Sequence, residues 1–535
     1  MGRSKAGAYL TARLATNLTV MAILSPAAGA LVEVILAWRF GASQTVDAFR
    51  IATLLLVFGT QLSFQQVLPH VIVPLFLQYR AREREREGWR LAFSIASILG
   101  LVSLLFVFWV WFNPETLVSL LAPGLAGSGK ADALLLVRYF SLAVVLMVWS
   151  GVMGGILYAH RIFWAPLAGQ LLTNSLVILA IFSVGREMGS GSLAIGVLLG
   201  SFASFVLHLY LLSQVAKSSN VNLIECLKWG PRDGVTKALG LSVPLITQIL
   251  LSNWSFAVIN RVLSEMEAGT VAEVGYAFKL QILVTLMSTS LATVLFPEFS
   301  DNYVRDDHSV LARLVMKGIR ITLLLTVPLA SLLFVMSDSV VFLVLQWGAM
   351  DSSAANDISA LFGILLISAP AYALAILLGK VAYSMGDTKS PATVILISAL
   401  LITLLASHAA SVAGATGVMW AFSAIAWVEP LGLLIFQAWR HNIVKLSAIL
   451  RYACLVGIMA LSVIVVSSAT REVLSTFLTT SKPAAVGGLI VVGSVSALFC
   501  YFVAKAIGVY EASELVVYVR WQGSRILRFL SFEKG

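Results

Sequence analysis

Six residues, Thr45-Val46-Asp47-Ala48-Phe49-Arg50, carry the most pointed chemistry in this chain. They stand where a short polar loop, Gly41 to Gln44, enters a long apolar run. An acid and a base three positions apart share one face of a helix, here just below a membrane surface. A second copy of the core, Ala277-Phe278-Lys279, lies far down the chain inside another apolar run. A cation inside a bilayer costs about 2.5–3.5 kcal/mol on insertion scales, so such residues are rare unless they line a polar cavity. Two cations in matching Ala-Phe-(Arg/Lys) triplets suggest two halves facing one polar chamber. The competing reading is that Arg50 and Lys279 snorkel to the interface; more apolar sequence flanks Lys279 on both sides, which weakens that reading for it.

The elements that must position these residues follow from composition. Of 535 residues, 59% are hydrophobic and only 12% charged, a balance found in polytopic membrane proteins rather than soluble domains. Apolar runs long enough to span a bilayer fall at roughly 16–38, 48–78, 91–112, 133–158, 163–184, 191–214, 239–262, 271–297, 311–336, 356–384, 390–410, 414–438, 450–468 and 484–508. The expected fold is therefore all-α, with about 14 transmembrane helices. The first run, preceded by Arg3, Lys5 and Arg13, mimics a signal peptide but continues to Trp38, so a first membrane helix is expected. With the N-terminus placed inside, 26 of the 36 basic residues fall on one face, so both termini are expected to be cytoplasmic. The net charge of +10 then belongs to basic loops and not to a nucleic-acid surface. Cys226, Cys454 and Cys500 are scattered and offer neither a disulfide framework nor metal spacing.

There is an internal repeat. Tyr158 to Pro166 and Tyr383 to Pro391 each set a tyrosine eight residues before a proline, with a basic residue in a short turn. Six runs separate these turns, as they separate the two triplets. An even offset preserves orientation, which predicts parallel repeats related by an axis along the membrane normal. The expected organisation is an N-lobe of helices 1–6 (1–220), a C-lobe of helices 7–12 (221–446), two added helices (447–510) and an amphipathic cytoplasmic tail (511–535) suited to anionic lipid.

Other motifs are weaker. Gly124 to Lys130 fits the start of a phosphate-binding loop, but Ala131 lacks the hydroxyl that would hold magnesium, and the segment is expected outside the cell. External loops are too short for a folded catalytic domain, which disfavours a membrane glycosyltransferase. Polar residues within spans concentrate on helices one, two, seven and eight: Glu33; Asp47, Arg50, Gln61, Gln65, Gln66 and His70; Gln248, Asn253, Asn260 and Arg261; Lys279 and Gln281. Arg138 on helix four and Glu429 on helix twelve complete the set, and His208 reads as a hydrogen-bonded structural residue.

Phe40-Gly41-Ala42-Ser43 followed by Asp47-Ala48-Phe49, then Ala122-Pro123-Gly124, Gln346-Trp347-Gly348 and the turn Gly386 to Pro391, resemble in order the motifs of the MurJ (MviN) family of lipid II flippases. That family sits with polysaccharide-unit flippases and MATE-type multidrug exporters in the MOP (multidrug/oligosaccharidyl-lipid/polysaccharide) exporter superfamily. The resemblance implies a non-enzymatic flippase of the bacterial inner membrane. It would move a polyprenyl-pyrophosphate-linked saccharide from inner to outer leaflet by alternating access, as a monomer among membrane lipids. The family's acid opening helix two falls on Asp47 and its helix-eight base on Lys279. Its cavity arginines fall on Pro26, Val32 and Thr60, while Arg50 is extra. On this reading Asp47, Arg50, Lys279, Arg138, Arg261, Asn253 and Gln281 line the cavity, Arg50 and Lys279 attract the pyrophosphate, and Asp47 holds Arg50 when the cavity is empty. The altered cation set implies an exopolysaccharide or surface-glycan unit ahead of lipid II itself. No cofactor or metal is expected. Transport would couple to the membrane potential, protons or sodium, with Glu33 and Glu429 as candidate carboxylates, which are also what the alternative, a MATE-like cation or drug antiporter, would need.

Overall fold

Long apolar segments broken by glycine, proline and short polar turns leave a chain in lipid one economical solution, the helix that satisfies its own backbone. The computed structural model describes residues 2–61, 71–226, 228–441, 443–474, 481–509 and 511, with side chains from residue 20 onward except at 224, 244 and 287. Gln65, Gln66, His70 and all of the expected amphipathic tail but Glu511 lie outside the described residues. Among the described residues ten helices are long and apolar enough to cross a membrane, or up to twelve if each of two bent pairs is one span. Part of the run at 48–78 falls on residues outside those described. One of the ten, Lys389–His441, contains non-helical backbone at Ala413 and Gly414.

The chain forms two compact units: the described residues up to Ala272 with Trp347–Asp351, and those of Glu273–Gln346 with Ser352 onward. The first unit holds α1 (Gly2–Phe40), α2 (Gln44–Thr60), α3 (Val73–Ala81), α4 (Glu85–Phe112), α5 (Pro114–Leu121), α6 (Gly127–Ala159), α7 (Ala165–Met188), α8 (Ser190–Ser218), the short α9 (Leu223–Cys226) and α10 (Arg232–Leu263). Its central helix is α6, whose span is 72% buried against 28% for α7; it packs on α2, α4 and α8. Phe76, Trp89, Ile156 and Leu157 form the heart of a core at one end of this unit.

From α11 (Thr270–Val304) the chain runs into the second unit, with α12 (His308–Val335), α13 (Ser337–Val344), α14 (Ser352–Leu366), α15 (Ala369–Ser384), α16 (Lys389–Ile425), α17 (Val428–His441), α18 (Leu446–Val473) and α19 (Lys482–Ala506). Here α12 packs on α15 and α18, and α18 on α19. Helices α14 and α15 meet at a 44° bend. Pro370, at the start of α15, lacks the N–H that would continue the ladder. Carbonyls at this break take side-chain donors besides the tight-turn amides: Gln281 Nε2 lies 2.9 Å from Leu365 O, and Ser423 Oγ 3.0 Å from Ile364 O.

The two turns of the sequence repeat close in the same way. Ile162 N donates to Leu157 O at 2.9 Å, and Asp387 N to Ala382 O at 2.9 Å. Each is the six-to-one bond of a Schellman motif, which needs the intervening residue in the left-handed region. That residue is Arg161 (φ 63°) in the first turn and Gly386 (φ 73°) in the second.

Candidate translocation site

Arg50 is the best-defined charge in the first unit. α2 begins after Ser43, and by its second turn Arg50 is 7% exposed. Its guanidinium meets Glu33 of α1 in a fork: Nη1 donates to Oε1 at 3.0 Å and Nη2 to Oε2 at 2.5 Å. Two parallel charge-assisted bonds fix a guanidinium in orientation as well as position. The spacing of Asp47 and Arg50 predicts that Asp47 holds the arginine; the structure gives that task to Glu33.

Asp47 does something else. Its Oδ2 accepts from Gly269 N at 2.6 Å and its Oδ1 from Ala272 N at 2.7 Å. These amides open α11, where backbone N–H groups have no helical partner and the helix dipole favours an anion. Asp47 thus caps a helix more than two hundred residues away. The preceding loop also comes close there: a Cβ on Gly269 would lie 2.5 Å from Ala42 O. Gly41 has φ 60°, and a Cβ on it would lie 2.5 Å from Ala349 O. Gly348, with φ 57°, would place a Cβ against Trp38 O, and Ala349 N donates to Trp38 O at 2.8 Å. The Gly41 and Gly348 motifs are therefore two sides of one contact. Pro123-Gly124 joins the same end of the unit through Gly124 N, which donates to Ser264 Oγ at 3.3 Å.

The other candidates are placed individually. Arg261 is exposed and donates to Leu120 O at 2.7 Å. Arg138 is exposed on α6. Asn253 Nδ2 donates to Gln61 Oε1 at 2.6 Å and to Ile249 O at 2.8 Å, tying α10 to the end of α2. In the second unit Lys279 is exposed on α11. Gln281 is buried, its amide nitrogen committed to the α14–α15 break through Leu365 O and Ser368 Oγ at 2.7 Å. Glu429 is half-buried in the first turn of α17. Of the positions where the family resemblance places arginines, Pro26 is exposed, Val32 is buried, and Thr60 donates to Leu56 O of its own helix at 2.6 Å. His208 is fully buried with Nδ1 2.7 Å from Ser204 O, the structural placement anticipated.

One junction escaped the sequence. Asp132 accepts from Thr45 Oγ1 at 2.7 Å and from Ser190 Oγ at 2.6 Å, joining the starts of α2, α6 and α8. Its signal, one acid in a polar loop, is too common to have singled it out. Among the described residues no cluster of His, Cys, Asp and Glu could hold a metal ion.

A chain whose described residues are largely helical, with a buried arginine on its second helix forked onto a carboxylate of the first, has the makings of a transporter. The family model for the lipid II flippase MurJ matches residues 36–486, and the chain belongs to that family. It is 25% identical over 404 residues to the lipid II flippase MurJ of Burkholderia cenocepacia, covering 72% of this chain and 75% of that protein. It is 25% identical over 513 residues to a probable lipid II flippase MurJ of Rhizobium meliloti, covering 91% of each. Among solved structures, lipid II flippase MurJ in an inward closed conformation superposes with a TM-score of 0.74 at 20% identity, covering 92% of this chain and 99% of that one. A MATE-family multidrug transporter of the MOP superfamily, inward-facing, matches with a TM-score of 0.63 at 15% identity over 78% of this chain and 94% of its own. These two likenesses are of fold alone.

Proposed function

We propose that the chain is a flippase that carries a polyprenyl-pyrophosphate-linked saccharide from the inner to the outer leaflet of the bacterial inner membrane, acting as a transporter and not as an enzyme. The observation that carries the reading is the family match over residues 36–486, nearly the whole membrane-embedded part of the chain. The physical chemistry agrees with it. A pyrophosphate in a low-dielectric site needs fixed cations; Arg50 supplies one in the first unit, and Lys279 is a candidate in the second. Glu33 holds Arg50 until a more highly charged anion competes for it. An apolar cavity of about 510 Å³ in the second unit, lined among others by Leu323, Phe334, Leu374, Trp427 and Val456, suits a polyprenyl chain. Exchange of Glu33 for pyrophosphate on Arg50 would bias alternating access, and the membrane potential would act on whatever charge moves, at about 2.3 kcal/mol per elementary charge per 100 mV. Both termini lie on the cytoplasmic side in this scheme.

The relatives are named for lipid II, the peptidoglycan precursor, which makes it the first cargo to test. A surface-glycan repeat unit is the second, favoured by Pro26, Val32 and Thr60 standing where the family resemblance places cavity arginines. Complementation separates the two. Rescue of cells depleted of their own lipid II flippase establishes lipid II as cargo. Failure to rescue, with loss of a surface polysaccharide and no lysis on deletion, establishes the second. Neither phenotype, with the protein inserted and folded, overturns the flippase reading.

A further inference from the structure

At one end of the first unit, the turns α3–α4 and α6–α7 border an open pocket of about 560 Å³ lined by Leu77, Arg80, Ala81, Ala159, His160 and Arg161. Three side chains able to carry positive charge stand over an apolar floor. Arg161 occupies the left-handed position of its turn at φ 63°, where the matching turn of the second repeat has Gly386. A long side chain is disfavoured there, so the position is poor for the backbone and good only for what the side chain reaches. Among the described residues Arg161 is exposed and paired with no carboxylate.

His160 is held rigidly beside it. Its Nδ1 lies 2.9 Å from Ile156 O and its Nε2 3.1 Å from Glu85 Oε1, with the ring between Phe76 and Trp89 at centroid distances of 5.5 and 5.8 Å. Glu85 also lies 3.7 Å from Arg80 Nε. That long contact engages only the Nε edge of Arg80, so its Nη groups and Arg161 are left to an outside anion. Tyr158 and Phe163, edge to face at 4.7 Å and both exposed, flank the turn as aromatic residues do at the level of lipid headgroups.

We propose that this pocket binds the phosphate of an anionic membrane phospholipid, with Arg161 and Arg80 on the phosphate and Leu77 against the acyl chains. Basic pockets between transmembrane helices at a membrane surface take such headgroups. The site is separate from the proposed cargo path and does not depend on which saccharide is carried.

The test is lipid titration of the detergent-solubilised full chain followed by native mass spectrometry, with short-chain phosphatidylglycerol, phosphatidylcholine and inorganic phosphate as probes. Phosphatidylglycerol binds in preference to phosphatidylcholine, and millimolar inorganic phosphate fails to displace it. Arg161→Gly lowers phosphatidylglycerol affinity about fivefold, which is what about 1 kcal/mol per arginine near an anionic surface amounts to. The same variant melts no lower than wild type, because glycine suits that backbone, so a loss of binding is not a loss of fold. Arg80→Ala gives a comparable loss of affinity. Equal binding of the two lipids, or an Arg161→Gly protein that titrates like wild type, overturns the proposal; displacement by inorganic phosphate overturns its assignment to a lipid headgroup.

Discussion

The two Ala-Phe-cation triplets share an aromatic contact and differ in their charge. Phe49 meets Phe140 edge to face at 5.9 Å and 84°, and Phe278 meets Phe422 at 4.9 Å and 89°. The cations diverge: Arg50 is buried and forked onto Glu33, while Lys279 is exposed. The residue before the alanine diverges too, from Asp47, which caps α11, to Tyr276, which is wholly buried. The matched triplets therefore keep the ring that seats the helix, while the charge beside it takes different work in each.

The largest test of that difference removes each cation. Arg50→Ala takes the bidentate guanidinium from the half-buried Glu33, and breaking such a pair costs up to about 3–5 kcal/mol of stability together with transport. Lys279→Ala, at an exposed position, changes stability by less than about 1 kcal/mol and lowers transport only. Thermal or denaturant unfolding in detergent, beside a flipping assay in proteoliposomes, reads both. Equal destabilisation by the two variants would break the comparison. A double-mutant cycle of Arg50→Gln with Glu33→Gln sharpens it, since the pair should show a coupling well above 1 kcal/mol.

Asp47 gives the next effect. Asp47→Ala strips Gly269 N and Ala272 N of their acceptor, and hydrogen bonds to a charged group are worth about 1.5–3 kcal/mol. The loss should appear as faster amide hydrogen exchange at the start of α11. Unchanged protection at Gly269 and Ala272 would mean that the cap holds nothing in solution.

Asp47 also marks where the sequence stops being legible. The helical class, the repeated turns and the two triplets could be read, because apolar runs and spacing are local signals. Partner choice could not. Within α2, Arg50 is three residues from Asp47, but the acid's amide partners are 222 and 225 residues away. Unsatisfied amides at a helix start outcompete a neighbour that spacing alone favours. Gln281 teaches the same: its polarity in a span suggests a cavity, yet it is buried against a helix break visible in the sequence only as Pro370. The glycine motifs were recognisable as markers, but that Gly41 and Gly348 are two sides of one contact needed the fold.

The repeated turns supply two smaller predictions. Gly386→Ala puts a side chain into left-handed backbone and should destabilise by about 1 kcal/mol. Arg161→Gly should stabilise by a similar or smaller amount. Opposite shifts in melting temperature at matched positions are the outcome that supports equivalence of the turns; shifts of the same sign would deny it.

The smallest effect lies one residue further on, where the turns part company. Ile162 in the first repeat is matched by Asp387 in the second, which starts α16. Asp387 Oδ1 accepts from Lys389 N at 3.1 Å and Ser390 N at 3.0 Å, and Oδ2 from Ser390 Oγ at 2.5 Å. Partial burial pushes against ionisation, but the Ser390 hydroxyl, these two amides and the charge of Arg440 together outweigh it and hold the carboxyl below its ordinary value of about 3.8. His441, with Nε2 4.0 Å from Oδ2, faces the same group. A carboxyl whose folded value is depressed contributes stability that is fully present above the unfolded value and is lost as pH falls through the folded one. Asp387→Ala should therefore cost about 0.5–2 kcal/mol near neutrality, the usual worth of a helix cap. Wild type and variant should converge below about pH 4, while Ile162→Ala shows no such convergence. Melting curves of the three proteins from pH 7 down to pH 3 decide it, and a gap between wild type and Asp387→Ala that stays constant through acid would show that the ionised carboxylate is not what starts α16.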